Sequence, residues 1–158
     1  MSDMTGWSGV GQGLVYSRKE RGMIKGVSHI GIAVEDLEDA RELYKKIFSK
    51  ESSEPEWFGE IHFSFIPFGN THIELLESTT PAGVMRKFIE KKGEGVHHIS
   101  FEVDDIEAEL AELKARGVQL INEKPYLNAH KNLVAFVSPK SIRGVLVELI
   151  QYMDKKKE

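Results

Sequence analysis

Hydrophobic and polar residues alternate along several short segments of the chain, and this alternation predicts β-strands. In residues 27–34, aliphatic side chains fall on one face, whereas His29, Gly31 and Ala33 fall on the other. The pair Gly69-Asn70 signals a turn, so the strands on either side of it are expected to be neighbours. The same period of two predicts further strands at residues 61–66, 72–77, 98–103, 118–122, 133–137 and 145–151.

Three segments between the strands show the helical period of apolar residues instead. The first follows Asp36, whose carboxylate can cap it, and carries apolar residues at positions 40, 43, 44 and 47. The second covers residues 81–92, and the third covers residues 107–116; each is followed by a glycine that can end a helix. The pattern as a whole therefore predicts an α+β fold.

One pattern occurs twice, each time led by a histidine. The segment His29-Ile-Gly-Ile-Ala-Val-Glu-Asp-Leu-Glu is answered by His98-Ile-Ser-Phe-Glu-Val-Asp-Asp-Ile-Glu, an offset of 69 residues (98 minus 29). A second echo follows in each copy, where Glu74 and Glu148 each interrupt an apolar strand. Duplicated modules can bring equivalent side chains together where they meet, so these four residues are candidates for one shared site.

The duplication also predicts the domain organisation. Two modules, about residues 27–78 and 96–152, are expected to form paired sheets that curve around a shared cleft, with helices on the outside. Together they form a single domain over residues 27–152. Residues 1–26 show no clear periodicity and are predicted to be an extension outside the core, and residues 153–158 form a charged tail.

Composition narrows the possible functions. The chain has 158 residues and a net charge of −4, which does not suggest a nucleic-acid-binding surface. It has no cysteine, so disulfides, thiolate metal sites and cysteine nucleophiles are excluded. No apolar run approaches the length of a membrane span, and the first residues lack the apolar core of a signal peptide, so a cytoplasmic protein is expected.

The repeated histidines and glutamates point to a metal site. Alternation turns His29 and His98 away from the strand faces that pack on helices, next to small residues that leave room for a ligand. An unpaired carboxylate at Glu74 or Glu148 within an apolar strand would cost several kcal/mol, unless a cation pairs with it or that face is wet. Two imidazoles and two carboxylates suit Zn²⁺, Co²⁺, Mn²⁺, Ni²⁺ or Fe²⁺.

Other polar residues have weaker assignments. His62 is a candidate general acid or base because an imidazole titrates near neutrality, although a structural role is equally consistent with the pattern. Alternation turns His97 to the face opposite His98, which predicts a structural role. The loop of residues 138–144 is basic, and its members Lys140 and Ser141 are candidates for binding an anionic substrate tail.

Residues 27–152 resemble the methylmalonyl-CoA epimerase family of the vicinal-oxygen-chelate (glyoxalase and bleomycin-resistance) superfamily. The resemblance rests on the His29-led strand, Ile73-Glu-Leu-Leu-Glu, Gly93-Glu-Gly-Val-His-His-Ile-Ser-Phe-Glu-Val, Pro139-Lys-Ser and Gly144-Val-Leu-Val-Glu-Leu. It implies paired βαβββ modules, usually in a homodimer, and one divalent metal ion per chain held by His29, Glu74, His98 and Glu148. It also implies interconversion of (R)- and (S)-methylmalonyl-CoA by C2 proton abstraction through a metal-stabilised enolate.

The resemblance implies two acid/base groups, with Glu148 as one and His62 at the position where some family members carry a glutamate. Ala129-His130-Lys131, Ser138 and Arg143 depart from the residues common in the family, and they lie near the expected substrate mouth. Two alternatives remain open at this point. One is a glyoxalase-I-like lactoylglutathione lyase, and the other is a metal-free resistance-type protein that sequesters a ligand.

Overall fold

The computed structural model describes residues 24–153. Most of the predicted N-terminal extension, as residues 1–23, and most of the charged tail, as residues 154–158, lie outside the described residues. Within them, the fold combines one eight-stranded sheet with three α-helices, which confirms the predicted α+β class. None of the helices in residues 24–153 is long and apolar enough to cross a membrane.

The elements follow the order strand, helix and three strands twice, with one extra helix between the two halves. The strands are β1 (Ile24–Ala33), β2 (Glu56–Phe58), β3 (Ile61–Phe68), β4 (Thr71–Ser78), β5 (Gly95–Val103), β6 (Tyr126–Leu127), β7 (Leu133–Val137) and β8 (Val147–Gln151). The helices are α1 (Leu37–Phe48), α2 (Val84–Lys92) and α3 (Ile106–Ala115), and a 3₁₀ turn covers Pro139–Ser141. The two βαβββ halves are therefore those that the duplicated sequence predicts.

The two halves meet at the centre of one curled, half-barrel sheet. Its strand order is β2-β3-β4-β1-β5-β8-β7-β6, so β1 and β5 form the central antiparallel pair. Each of these strands also pairs in parallel with the last strand of its own half, β1 with β4 and β5 with β8. The four strands that carry the repeated histidines and glutamates are thus neighbours at the middle of the sheet.

The helices α1 and α3 cover the outer face of the sheet and are positioned by their apolar stripes. Asp36 caps α1, since its carboxylate accepts a hydrogen bond from the Asp39 N–H. Leu37 of α1 packs into a buried cluster with Ile66 and Leu75. The second half repeats this arrangement, in a cluster made of Val103, Ile106, Leu110, Ala135, Val137, Val147 and Leu149. The opposite, concave face encloses a cavity. The prediction that the helices lie on the outside is wrong for α2, whose residues Val84 and Met85 line this cavity.

Some predicted boundaries differ from the structure. The first strand begins at Ile24, three residues before its predicted start. The prediction of a strand at residues 118–122 is wrong, because Leu120 forms only an isolated bridge with Val137. The strands β2 and β6 were not predicted, since two or three residues are too few to show alternation.

Candidate metal centre and its cavity

The concave face of the sheet encloses a cavity of about 640 Å³. Its walls are mainly aromatic and aliphatic, and polar side chains converge at its centre, as is usual for small-molecule sites. The polar and ionisable lining residues are His29, His72, Glu74, His97, His98, Tyr126, Asn128, His130, Asn132, Glu148 and Tyr152. All four predicted metal ligands are therefore exposed to one cavity.

The donor atoms of the four predicted ligands lie close together. The Nε2 atoms of His29 and His98 are 3.1 Å apart. Glu74 Oε2 lies 3.3 Å from His29 Nε2 and 3.6 Å from His98 Nε2. Glu148 Oε1 joins the group beside His29, at 3.3 Å from the same Nε2 atom. Register explains the convergence, because β1 pairs Gly31 with both Glu74 and His98.

These spacings fit a divalent cation. Metal–ligand bonds of about 2.0–2.2 Å in tetrahedral geometry place neighbouring donor atoms about 3.3–3.6 Å apart. Donor atoms of His29, Glu74 and His98 all lie within 4.8 Å of one another. Glu148 lies outside that tighter group, and its Oε1 accepts a 2.7 Å hydrogen bond from Ser100 Oγ. The donor set therefore consists of three convergent ligands, His29, Glu74 and His98, and of Glu148 beside them. Ser100 orients the Glu148 carboxylate.

Burial and mutual charge shift the pKa values in this cluster. Burial disfavours protonation of His29, but Glu74 and Glu148 outweigh it, so the pKa of His29 is raised. Burial, with the neighbouring His29 and His97, holds the pKa of His98 well below its ordinary value. Burial also raises the pKa of Glu148 to about 7, against the opposing effects of His29 and Ser100. His98 is therefore neutral, the form in which an imidazole binds metal.

Each of the two ligand histidines has a hydrogen-bonding partner at its second ring nitrogen, Nδ1. Ser28 Oγ lies 3.2 Å from His29 Nδ1 and 2.6 Å from the Tyr152 hydroxyl. His97 Nδ1 lies 3.0 Å from His98 Nδ1. Such contacts to the second ring nitrogen orient metal-binding histidines. The sequence did not single out Ser28 of β1 or Tyr152, which follows β8, because an isolated hydroxyl has no distinctive spacing.

The prediction that His97 lies on the face opposite the cavity is wrong. Along β5, His98 pairs with Gly31 and Val96 pairs with Ile32, so His97 is an extra residue in that strand. Such a bulge breaks the alternation of side chains. His97 consequently lines the cavity, and burial, with Lys92, lowers its pKa to about 4.

The cavity face of β1 has no room for a side chain at Gly31. A methyl group there would overlap the imidazole ring of His98. We expect Gly31→Ala to lower the free energy of unfolding by about 1–3 kcal/mol, measured by urea denaturation, because the ring or the strand must shift. Gly26→Ala is the matched control, since a methyl group at that position of the same strand meets nothing within 4 Å. Equal stability of the two variants would contradict this packing.

The position of His62 requires a correction. On β3, Ile61, Phe63 and Phe65 line the cavity, so alternation turns His62 to the outer face. There its ring stacks on Trp57 at 3.9 Å, and its Nδ1 lies 3.5 Å from Glu77 Oε2. The aromatic face of this strand forms part of the cavity wall, and Phe63 also packs on Met85 and Ile89 of α2. The structure therefore does not bring His62 to the four clustered ligands.

The basic loop after β7 lies near a second, smaller cavity. This cavity, of about 390 Å³, is bordered by Pro139 and Gly144 of the loop and by Lys92, and it shares His98 with the larger one. Lys140 and Ser141 are exposed and do not line either cavity. Ser141 Oγ accepts a 2.7 Å hydrogen bond from the Gln119 N–H, which holds the turn in place.

Comparisons with known proteins agree with the fold. Residues 28–136 match the family model of the glyoxalase/bleomycin resistance protein/dioxygenase superfamily. The mitochondrial methylmalonyl-CoA epimerase of Dictyostelium discoideum is 38% identical over 126 residues, which cover 78% of this chain and 76% of the relative. The ethylmalonyl-CoA/methylmalonyl-CoA epimerase of Cereibacter sphaeroides is 37% identical over 133 residues, covering 82% of this chain and 99% of the relative.

A solved structure is similar over the same region. It is a variant of Streptomyces coelicolor methylmalonyl-CoA epimerase in complex with 2-nitronate-propionyl-CoA, and it matches with a TM-score of 0.80 and 28% sequence identity. The match covers 86% of this chain and all of the other chain (100%). The likeness thus extends through both halves of the duplicated fold.

Proposed function

The chain belongs to the glyoxalase/bleomycin resistance protein/dioxygenase superfamily, and from this premise we propose that it is a metal-dependent epimerase that interconverts (R)- and (S)-methylmalonyl-CoA. The names of the similar proteins support this reaction. The observation that carries the proposal is the convergence of two imidazoles and two carboxylates, at 3.1–3.6 Å, inside one cavity.

We assign one divalent cation per chain to His29, Glu74, His98 and Glu148. Cobalt, zinc, manganese, nickel and iron all suit this nitrogen and oxygen donor set. When bound, such a cation supplies an electrophile that stabilises the negative charge that develops on the thioester oxygen when the C2 proton leaves. Because that charge develops in an apolar cavity, its stabilisation is worth more than it would be in water.

Glu148 is our candidate for one of the two proton-transfer groups. Its carboxyl lies on the cavity floor beside His29, and Ser100 holds one of its oxygens. A carboxylate in this position can take a proton from C2 on one face of the substrate and return it. Ser100 keeps that carboxyl oriented, because its hydrogen bond to Glu148 is buried and does not compete with water.

The walls of the cavity suit the acyl part of a CoA thioester. Phe63, Phe65 and Phe136 form apolar surface around the clustered ligands. This surface excludes water, which would otherwise compete with the ligands and the cation for the developing charge. Lys140 and Ser141 remain our candidates for the anionic part of CoA, because their loop borders the smaller cavity next to Lys92. We also retain the predictions of a homodimer and of a single domain over residues 27–152.

The decisive experiment follows exchange at C2. The purified protein, loaded with cobalt or zinc, is incubated with methylmalonyl-CoA in D₂O, and deuterium at C2 is measured by mass spectrometry. We expect incorporation together with interconversion of the two epimers. Absence of exchange in the metal-loaded protein would contradict the proposed epimerase activity. Turnover of methylglyoxal with glutathione would favour the lyase, and stability indifferent to divalent ions would favour a metal-free binding protein.

Removing the Ser100 hydroxyl tests how Glu148 is held. We expect Ser100→Ala to weaken metal affinity about 10–100-fold, as is typical for losing a partner that orients a ligand, and calorimetric titration measures it. Ser64→Ala is the matched control. Ser64 is also a buried serine, but it lies on the outer face of the sheet and bonds to the Ser53 carbonyl. Unchanged metal affinity in Ser100→Ala would contradict the assigned role.

A further inference from the structure

Inversion at C2 needs a second proton-transfer group, which the four clustered ligands leave unassigned. A carbon centre is inverted when a proton leaves one face and another is added to the opposite face, so a single group on one side returns the starting epimer. Glu148 lies on the cavity floor, and His62 is turned to the outer face of the sheet. The second group must therefore be sought elsewhere on the cavity wall.

The chain contains six histidines. Those that are not proposed metal ligands differ in whether they line the cavity and whether they adjoin a ligand. His72 lies two residues before Glu74 on the same strand face, beside the ligand cluster. His97 is hydrogen-bonded to His98. These two imidazoles adjoin proposed ligands, which makes them suited to supporting the metal. His130 is the remaining cavity-lining imidazole.

The tyrosines of the cavity are poorer proton acceptors. Burial raises the pKa of Tyr126, and the charge of Glu148 adds to the effect. Burial likewise raises the pKa of Tyr152, whose hydroxyl is hydrogen-bonded to Ser28. Both phenols are therefore protonated at neutral pH and can donate a hydrogen bond, but they are not poised to remove a carbon-bound proton.

We propose that His130, oriented by Glu56, is the second proton-transfer group of the epimerase; this inference rests on the proposed function. His130 Nε2 lies 2.6 Å from Glu56 Oε2. The His130 ring also packs against Phe63 and Phe65, with centroid distances of 6.1 and 5.9 Å. Phe65 in turn contacts the ring of His29, with a centroid distance of 6.1 Å, so one aromatic ring touches both His130 and the ligand cluster.

The fold brings His130 and Glu56 together from opposite ends of the sheet. Glu56 belongs to β2, at one edge, and His130 lies in the turn between β6 and β7, at the other. The turn is held by Asn128, whose side-chain oxygen accepts hydrogen bonds from the backbone N–H groups of His130 and Asn132. The imidazole thereby contacts β2 and β3, which belong to the other half of the sheet from β8, the strand that carries Glu148.

A carboxylate partner suits an imidazole that transfers protons. When Nε2–H donates to Glu56, the lone pair remains on Nδ1, and the carboxylate stabilises the imidazolium that forms when Nδ1 accepts a proton. Both side chains are about two-fifths exposed, 43% for His130 and 42% for Glu56, so the proton can exchange with solvent.

The proton balance closes in both directions. In one direction, the Glu148 carboxylate removes the C2 proton, and the His130 imidazolium delivers a proton to the opposite face. Glu148 is then protonated and His130 neutral, and exchange with water restores both. In the other direction the neutral His130 removes the proton and protonated Glu148 returns one. No oxidant, reductant or further reactant is needed.

The test starts from each epimer separately in D₂O. We expect His130→Gln, in metal-loaded protein, to lower interconversion about 100-fold or more in both directions, as removal of an acid/base group does. Exchange at C2 should persist for one epimer without inversion, because Glu148 still removes and returns a proton on its own face. Glu56→Gln should lower kcat about tenfold with little change in KM, since the imidazole loses its orienting partner.

Control variants distinguish a catalytic role of His130 from a structural one. Lys131→Gln changes the charge of the same turn outside the cavity and should leave interconversion unchanged. Equal loss of exchange from both epimers in His130→Gln, with metal content and melting temperature intact, would assign His130 a structural role and overturn the inference. So would full activity of His130→Gln, or single-epimer exchange in His62→Gln. Absence of exchange in the unmodified protein would instead remove the proposed function itself.

Discussion

Replacing His98 with alanine is expected to lower the rate of C2 exchange in methylmalonyl-CoA by at least about a thousandfold. Losing the electrophilic cation removes several kcal/mol of stabilisation from the developing charge, and each 1.36 kcal/mol is a factor of about ten in rate. His98 is buried, and its Nε2 lies 3.1 Å from His29 Nε2. Exchange of deuterium into each epimer, followed by mass spectrometry, measures the loss.

Glu148→Gln is expected to give a loss of the same order, because it removes both a ligand and a proton-transfer group. The matched control for the carboxylate is Glu77→Gln. Glu77 lies on β4, but it faces outward, where its Oε2 accepts a 3.2 Å hydrogen bond from the Leu37 N–H. A glutamine can still accept that bond, so exchange should stay within about twofold of the unmodified protein. Activity retained in His98→Ala or Glu148→Gln would contradict the proposed metal centre.

Removing the metal is expected to abolish exchange and to lower stability together. A ligand that binds the folded chain at a free concentration 100-fold above its Kd stabilises it by about 2.7 kcal/mol, which corresponds to about 5–10 °C in Tm for a chain of this size. Calorimetry before and after treatment with a chelator, and after cobalt or zinc is restored, measures both effects. His98→Ala should show no metal-dependent shift in Tm, whereas Glu77→Gln should shift like the unmodified protein.

The same cation is expected to displace protons as it binds. Burial raises the pKa of Glu148 to about 7, and the pKa of His29 is raised by Glu74 and Glu148 despite its burial. Both groups therefore hold protons near neutrality and must lose them to become ligands. Metal affinity should weaken as pH falls through this range, by up to about tenfold per pH unit for each proton released. Titration in buffers of different ionisation enthalpy counts the protons, and a pH-independent affinity would contradict the cluster.

The sequence determined the repeated elements and the four ligand candidates. Alternation alone placed His29 and His98 opposite the strand faces that pack on α1 and α3, and the structure confirms those faces. It succeeded because the side-chain period of a strand is a local property, and because the duplicated pattern marked equivalent positions in both halves. The glutamates stood out for a similar reason, since each carboxylate interrupts an apolar strand.

Only the tertiary structure decided which other polar residues share the cavity. His62 and its neighbour Phe63 show why, since an apolar strand face can pack on a helix or line a ligand cavity, and alternation does not distinguish these. A bulge in β5 turned His97 into the cavity, and such an inserted residue leaves no mark on hydrophobic periodicity. His130 contacts Glu56 because the sheet curls until its two edges approach each other. The alternation of residues along single strands does not predict such a long-range contact.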